Sequence, residues 1–179
     1  ILEAISINED GMIIPTTSVG NNSLFAFNAK EIIVEINMAQ TPELEGIHDI
    51  YDPGKQGERN PIPLTKASER IGTKGIKVDP EKIRGIVFTE QEDSASTIVQ
   101  PDDETQVMAN YLIDFLRKEV EAGRLTKSLA PLQSGIGSVA NAVLHGMIDS
   151  EFEDLEVYSE VLQDAVFELI DAGKVNVAS

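Results

Sequence analysis

Leu155-Glu-Val-Tyr158, Leu162 to Ala172 and Lys174-Val-Asn-Val-Ala-Ser179 read in succession as strand, helix and strand. The helix turns Leu162, Val166, Leu169 and Ile170 to one side at 3–4 spacing, and Gly173 stops it. The preceding unit is of the same kind. Leu129-Ala-Pro-Leu132 passes through Gln133-Ser-Gly-Ile-Gly137 into a helix with Val139, Ala140, Val143, Leu144 and Met147 inward. Strands alternating with helices predict an α/β fold, a mostly parallel sheet with flanking helices.

The same reading extends toward the start of the chain. Residues 1–7 form a strand, closed by the turn Asn8-Glu-Asp-Gly11. Ile13 and Ile14 restart an apolar stretch, Thr16–Asn22 is a small-residue loop, and Leu24–Ala29 a short helix. Lys30–Ile36 and Ile83–Phe88 are strands rich in β-branched residues. Between them, residues 40–80 carry Pro42, Pro53, Pro61, Pro63 and Pro80, an excursion of the kind that serves function or an interface, although composition alone favours a surface insertion. Asp79–Lys82 is a turn or helix start, and Thr89–Val99 a polar, mobile loop. The strongest helix spans 102–122. Pro101-Asp-Asp-Glu104 supplies its N-cap and acidic first turn, with Asp102, Asp103 and Glu104 read as capping residues rather than a metal cluster, and Gly123 ends it; Val107, Met108, Tyr111, Leu112, Phe115 and Leu116 fall on one stripe.

With 179 residues, 14 Lys+Arg against 31 Asp+Glu, and a net charge of −17, the chain argues against a nucleic-acid surface or a basic membrane patch. No apolar run approaches the ~20 residues of a membrane helix. Without cysteine, disulfides, thiolate metal sites and thiol nucleophiles are excluded, which suits a reducing cytoplasm. Two histidines make a closed zinc site improbable, and no metal is expected. The chain starts at Ile1 inside a strand and stops inside another, so it reads as an internal segment of a longer protein.

In a parallel sheet the β-to-α loops share one edge, where ligands bind. Gly135-Ile-Gly137 and Glu160 both lie at such junctions, in consecutive units. Glycines let backbone N–H groups approach a phosphate or an oxyanion, and the following helix adds its positive end. The spacing lacks the third glycine of a dinucleotide loop, because Ala140 stands there. On spacing alone, Glu160 is read first as a charge at a helix start and the glycines as a tight turn.

The longer stretches Pro131-Leu-Gln-Ser-Gly-Ile-Gly-Ser-Val-Ala-Asn-Ala-Val-Leu144 and Tyr158-Ser-Glu-Val-Leu-Gln-Asp164 resemble the acetyl-CoA hydrolase/transferase family. Thr17-Ser-Val-Gly20, Glu45-Gly-Ile-His-Asp-Ile50, Pro61-Ile-Pro63, Glu69-Arg-Ile-Gly72 and Val78–Ile83 are similar to further segments of it, in the same order. The resemblance implies a Rossmann-like CoA-transferase domain within a two-domain protein. Residues 1–100 would end its N-terminal domain, 101–179 would hold the loop and the glutamate, and the C-terminal half would lie outside this chain. It implies that Glu160 forms a covalent glutamyl-CoA thioester and that Gly135, Ile136, Gly137, Ser138 and Val139 contact coenzyme A. The implied partners are an acyl-CoA, a small carboxylic acid such as acetate, the missing half and a second copy in a homodimer. Some members carry a substrate arginine after the strand matching Ile83–Phe88; Glu92-Asp-Ser-Ala-Ser-Thr97 has none. An acyl-CoA hydrolase is the same-class alternative, and a non-catalytic CoA-binding module the other. Arg117, Lys118, Arg124, Lys127 and Lys174 are candidates for the CoA phosphates, though each is read first as a solvated charge at a helix end. His48-Asp49 is read as a structural hydrogen-bonded pair, and His145 as a surface or half-buried residue.

Overall fold

A computed structural model describes residues 1–94 and 101–179. They fall into two compact units, residues 1–64 with 70–94, and residues 65–69 with 101–179. The end of the loop expected over 89–99, and part of the stretch 92–97, lie outside the described residues.

The first unit is one five-stranded sheet. β1 (Leu2–Ile7) pairs parallel with β3 (Ile32–Asn37), and β3 with β5 (Ile83–Thr89); on its other side β1 pairs antiparallel with β2 (Met12–Pro15), and β2 with β4 (Ile76–Lys77). The order is β4-β2-β1-β3-β5. The sheet is therefore mixed, not mostly parallel. The reason lies in the turn already visible at Asn8–Gly11: parallel neighbours need a crossover of a dozen or more residues, and four residues reverse the chain. Asn8 closes that turn with Oδ1 accepting from Met12 N–H at 2.9 Å. α1 (Asn22–Asn28) leads into β3 and buries Ala26 beside Leu2, Ala4, Ile13, Ile32, Val34, Ile36, Ile76 and Val78.

In the excursion over 40–80, two of the stretches singled out in sequence lock together. Arg70 Nη1 donates to the carbonyls of Gly46, Ile47 and His48, at 3.3, 3.0 and 3.0 Å. Asp49 in return accepts the N–H groups of Ile71 and Gly72, and Ile50 bridges Thr73. Gly72 is fixed by this closeness, since a Cβ there would stand 2.2 Å from the Ile50 carbonyl oxygen. His48 and Asp49 do not bond each other; His48 Nε2 bonds the Pro15 carbonyl at 3.0 Å. Arg70 and Asp49 thus satisfy backbone groups of a loop that has no ladder to do so, while His48 anchors it to the end of β2.

The second unit packs α2 (Asp103–Glu121), α3 (Ser138–Met147) and α4 (Asp164–Asp171) with the parallel pair β6 (Leu155–Val157) and β7 (Val175–Ala178). The strand expected over 129–132 is reduced to a single parallel bridge from Leu132 to Val157. The core joins Ala109 and Ile113 of α2, Ala142, Val143, Leu144 and Met147 of α3, Phe152, Leu155 and Val157, and Ala165, Val166 and Leu169 of α4. Ile170 of α4 is exposed, because the helix turns its Ala165–Val166–Leu169 side inward.

Helix α2 departs from its sequence reading. The stripe Val107, Met108, Tyr111, Leu112 and Phe115 faces outward, with Tyr111 75% exposed. The buried side is Thr105, Ala109 and Ile113, with Leu116 and Val120 packed beside it. Small residues decide this. Ala109 and Gly146 let α2 and α3 approach so closely that a Cβ on Gly146 would be 2.8 Å from Ile113 Cδ1. Helical spacing identifies two apolar stripes here but not which one the neighbouring helix takes.

Asp102 caps α2 as expected, in a capping box: its Oδ1 accepts Thr105 N–H at 2.8 Å, and Thr105 Oγ1 accepts Asp102 N–H at 3.0 Å. The Thr105 backbone bond, then the Thr105 hydroxyl, hold the Asp102 carboxyl below its usual 3.8. Glu119 and Glu151 are lowered by their hydrogen bonds to Arg124 and Arg117. A carboxyl whose folded pKa is depressed stabilises above its unfolded pKa and loses that contribution as pH falls through the folded one. We therefore expect Tm to hold from pH 8 to 5 and to fall below about pH 4. Asp102→Asn keeps a capping oxygen without the charge, so it should lower Tm little at pH 7 and make the acid fall shallower in pH-resolved calorimetry.

Candidate functional site

The site is built where β6 ends. Leu132 N–H donates to the Glu156 carbonyl at 2.8 Å, and Tyr158 N–H to the Leu132 carbonyl at 2.9 Å, so the chain before the glycine loop runs alongside β6 in the same direction. Both leave the pair at their carboxyl ends. One continues into the loop 133–137 and α3, the other into Ser159, Glu160 and α4.

Two side chains tie these loops together. Ser159 Oγ donates to the Ser134 carbonyl at 2.9 Å, and Gln163 Nε2 to the Gly135 carbonyl at 2.6 Å. Glu160 lies between the two ties and is exposed. It makes no hydrogen bond and no ion pair among the described residues. It is not a helix charge either: the N-cap of α4 is Gln163, and Asp164 is the acidic residue of its first turn. The simpler sequence reading of Glu160 as a helix-start charge is thereby removed.

The loop presents a row of free donors. Among the described residues no acceptor is bonded to the backbone N–H groups from Ser134 to Ala140; Asn141 N–H, bonded to the Gly137 carbonyl at 2.9 Å, is the first one satisfied. They include the open first turn of α3, whose helix dipole adds partial positive charge. Gly137 precedes that turn at φ 145, a backbone region that favours glycine. Gly135 differs. Its φ is ordinary, and a Cβ placed on it meets nothing within 4 Å. The chain's own packing does not demand glycine there; unobstructed access to the loop is what its absent side chain provides.

Gly135, Ile136, Gly137, Ser138 and Val139 are all exposed. Val139 was expected inward, yet it lines, with Leu112, Phe115, Leu116, Val143 and Met147, an open apolar groove of about 670 Å³ between α2 and α3 that the loop borders. Two of the outward stripe residues of α2, Leu112 and Phe115, thus form one wall of this groove.

Most of the candidate phosphate-binding cations are engaged elsewhere. Arg117 pairs with Glu151 and Asp114, Lys118 with Asp114, and Arg124 with Glu119, while Lys174 Nζ donates to the Ser150 carbonyl. His145 Nδ1 bonds Glu168 at 2.7 Å on the surface of the second unit. Asn141 Oδ1 is buried without a partner among the described residues. The sequence reading missed Ser159 and Gln163 as loop ties; their one signal was that they flank Glu160 within the same quoted stretch.

The fold and this edge define an α/β protein with a carboxylate and a donor-rich glycine loop at one strand end. Residues 1–88 match the acetyl-CoA hydrolase/transferase N-terminal domain. Over all 179 residues the chain is 48% identical to the succinyl-CoA:acetate CoA-transferase of Clostridium kluyveri and 42% identical to the acetyl-CoA hydrolase of Saccharomyces cerevisiae, covering 33% and 34% of those proteins. The chain is similar to the acetyl-CoA hydrolase/transferase family, and spans about a third of the length of the curated relatives it matches. Among solved structures, RipA from Yersinia pestis is similar at a TM-score of 0.61 and 17% identity, over 97% of this chain and 31% of that one. A 4-hydroxybutyrate CoA-transferase from Porphyromonas gingivalis is similar at 0.55 and 18%, over 97% and 34%. Among the described residues no helix is long and apolar enough to cross a membrane.

Proposed function

We propose that this chain carries the covalent nucleophile of a CoA-transferase that moves coenzyme A between an acyl-CoA and a short-chain carboxylate, acetate being the expected acceptor. The observation that carries the reading is Glu160 itself: an exposed carboxylate with no partner among the described residues, tied through its neighbours to a glycine loop rich in N–H groups that no described residue bonds.

Glu160 attacks the acyl-CoA carbonyl and expels the CoA thiolate, leaving a mixed acyl-glutamyl anhydride. The thiolate attacks the Glu160 carbonyl and releases the first carboxylate, giving glutamyl-CoA. A second carboxylate attacks the same carbonyl and displaces the thiolate. That thiolate takes the new acyl group and restores Glu160. Every step passes through a tetrahedral oxyanion, and the free N–H groups of the 134–140 stretch are the donors suited to it. The apolar groove beside the loop suits the uncharged arm of the thioester rather than its phosphates.

The site belongs, in this reading, to a Rossmann-like domain of a longer, two-domain, homodimeric cytoplasmic enzyme that needs no metal. Hydrolysis is the second reading, favoured by the yeast relative's name: water would then replace the second carboxylate.

Mass analysis of the intact full-length protein after incubation with an acyl-CoA tests the proposal. A CoA-sized adduct mapping to Tyr158–Asp164 is expected, and its absence would remove the covalent mechanism. Dependence of adduct discharge on an added carboxylate separates transfer from hydrolysis. Gly135→Ala gives an independent check. Because a Cβ there meets no neighbour, Tm should be unchanged, while KM for acyl-CoA rises on the order of 10-fold as the methyl group enters the approach to the loop.

A further inference from the structure

We propose that Gln163 is a positioning residue for this reaction, acting through the loop it holds; the inference rests on the reading of Glu160 as nucleophile. Gln163 occupies the N-cap position of α4 yet makes no cap hydrogen bond. A side chain there ordinarily accepts from the helix's own N–H groups. This one is 8% exposed and spends its amide donor on the Gly135 carbonyl, 28 positions earlier, at 2.6 Å. The helix forgoes its cap, and the gain falls entirely to the loop.

The consequence follows from peptide planarity. In a trans peptide the carbonyl of one residue and the N–H of the next point in opposite directions. Holding the Gly135 oxygen fixes the direction of the Ile136 N–H, away from Gln163. The Ser159 hydroxyl does the same at the Ser134 oxygen and so fixes the Gly135 N–H. Two consecutive peptide planes in a glycine-containing loop are therefore set by the residues that flank Glu160. Neither N–H has an acceptor among the described residues. Donors fixed before the reaction need no reorganisation when the oxyanion forms. Released, a loop with glycines at 135 and 137 regains its backbone freedom, and the donors are in place for only part of the time.

The test uses the full-length protein and Gln163→Met, which keeps length and packing but has no donor. We expect Tm within a few degrees of the unsubstituted protein, kcat lower on the order of 10–100-fold, and KM for the carboxylate unchanged. In a single turnover the Glu160-CoA adduct, followed by mass, should form more slowly by the same factor and still map to Tyr158–Asp164. Ser159→Ala should act in the same direction. The double variant should lose less than the product of the two single losses, since both act on one loop. If Gln163→Met misfolds, Gln163→Asn, whose amide falls one methylene short, is read in the same way. A lowered Tm with intact kcat, or adduct formation at the unsubstituted rate, overturns the positioning role and leaves the nucleophile standing. No adduct in the unsubstituted protein overturns both.

Discussion

Glu160→Ala in the full-length protein is expected to leave folding intact and to lower turnover by about four orders of magnitude or more, the scale on which enzymes lose rate when a covalent nucleophile is deleted. The two halves of this expectation come from the same geometry. Glu160 is exposed, bonds no group among the described residues and caps no helix, so its removal takes nothing from the fold. The proposed route, however, has no other carboxylate to form the thioester. Glu160→Asp is the sharper variant. It keeps the carboxylate but draws it back by one methylene from the carbonyl that the proposed mechanism sets against the loop donors, and a displacement of about 1 Å can cost 10²-fold. Steady-state rates and thermal melts on the three proteins decide the matter. An alanine variant that turns over at the unsubstituted rate would mark the site as a binding module.

The largest effect on stability is expected at Phe152. Its side chain is 0% exposed, in the link between α3 and β6, and sits in the core that joins α2, α3, α4 and β6. Phe152→Ala removes a ring from the point where these elements meet, and such truncations cost about 3–5 kcal/mol. Against a whole-domain stability of about 5–15 kcal/mol that is a large share. For a protein of this size it corresponds to a Tm lower by roughly 6–20 °C. Urea unfolding should show a reduced midpoint with an unchanged slope. An unaltered midpoint would mean that the second unit does not depend on this core.

How legible the protein was in its sequence differs element by element. The strand before Asn8, the strands around Val34 and Ile86, the helix capped by Asp102 and the stop at Gly123 were all readable, because each is set by local terms: β-branching, capping oxygens and turn glycines. The parallel expectation fails in the first unit because the four-residue link Asn8–Gly11 is too short for a crossover and makes β1 and β2 antiparallel. The outward turn of Tyr111 and Phe115 was not readable. Periodicity gives the angle between side chains on a helix, whereas the choice of buried side was made by Ala109, Ile113 and the hydrogen that Gly146 has in place of a Cβ.

The site divides along the same line. The sequence by itself determined the residue types: a glutamate after a strand, glycines before a helix, and the order that made the family recognisable, all encoded within short stretches. Only the tertiary structure decided that these stretches meet, that Glu160 is without a partner among the described residues, and that Gln163 abandons a helix cap to hold a carbonyl 28 positions away. The physical reason is that a hydrogen bond across such a separation is written in neither segment alone. It exists only once the Leu132–Val157 bridge has brought both chain ends to the same edge.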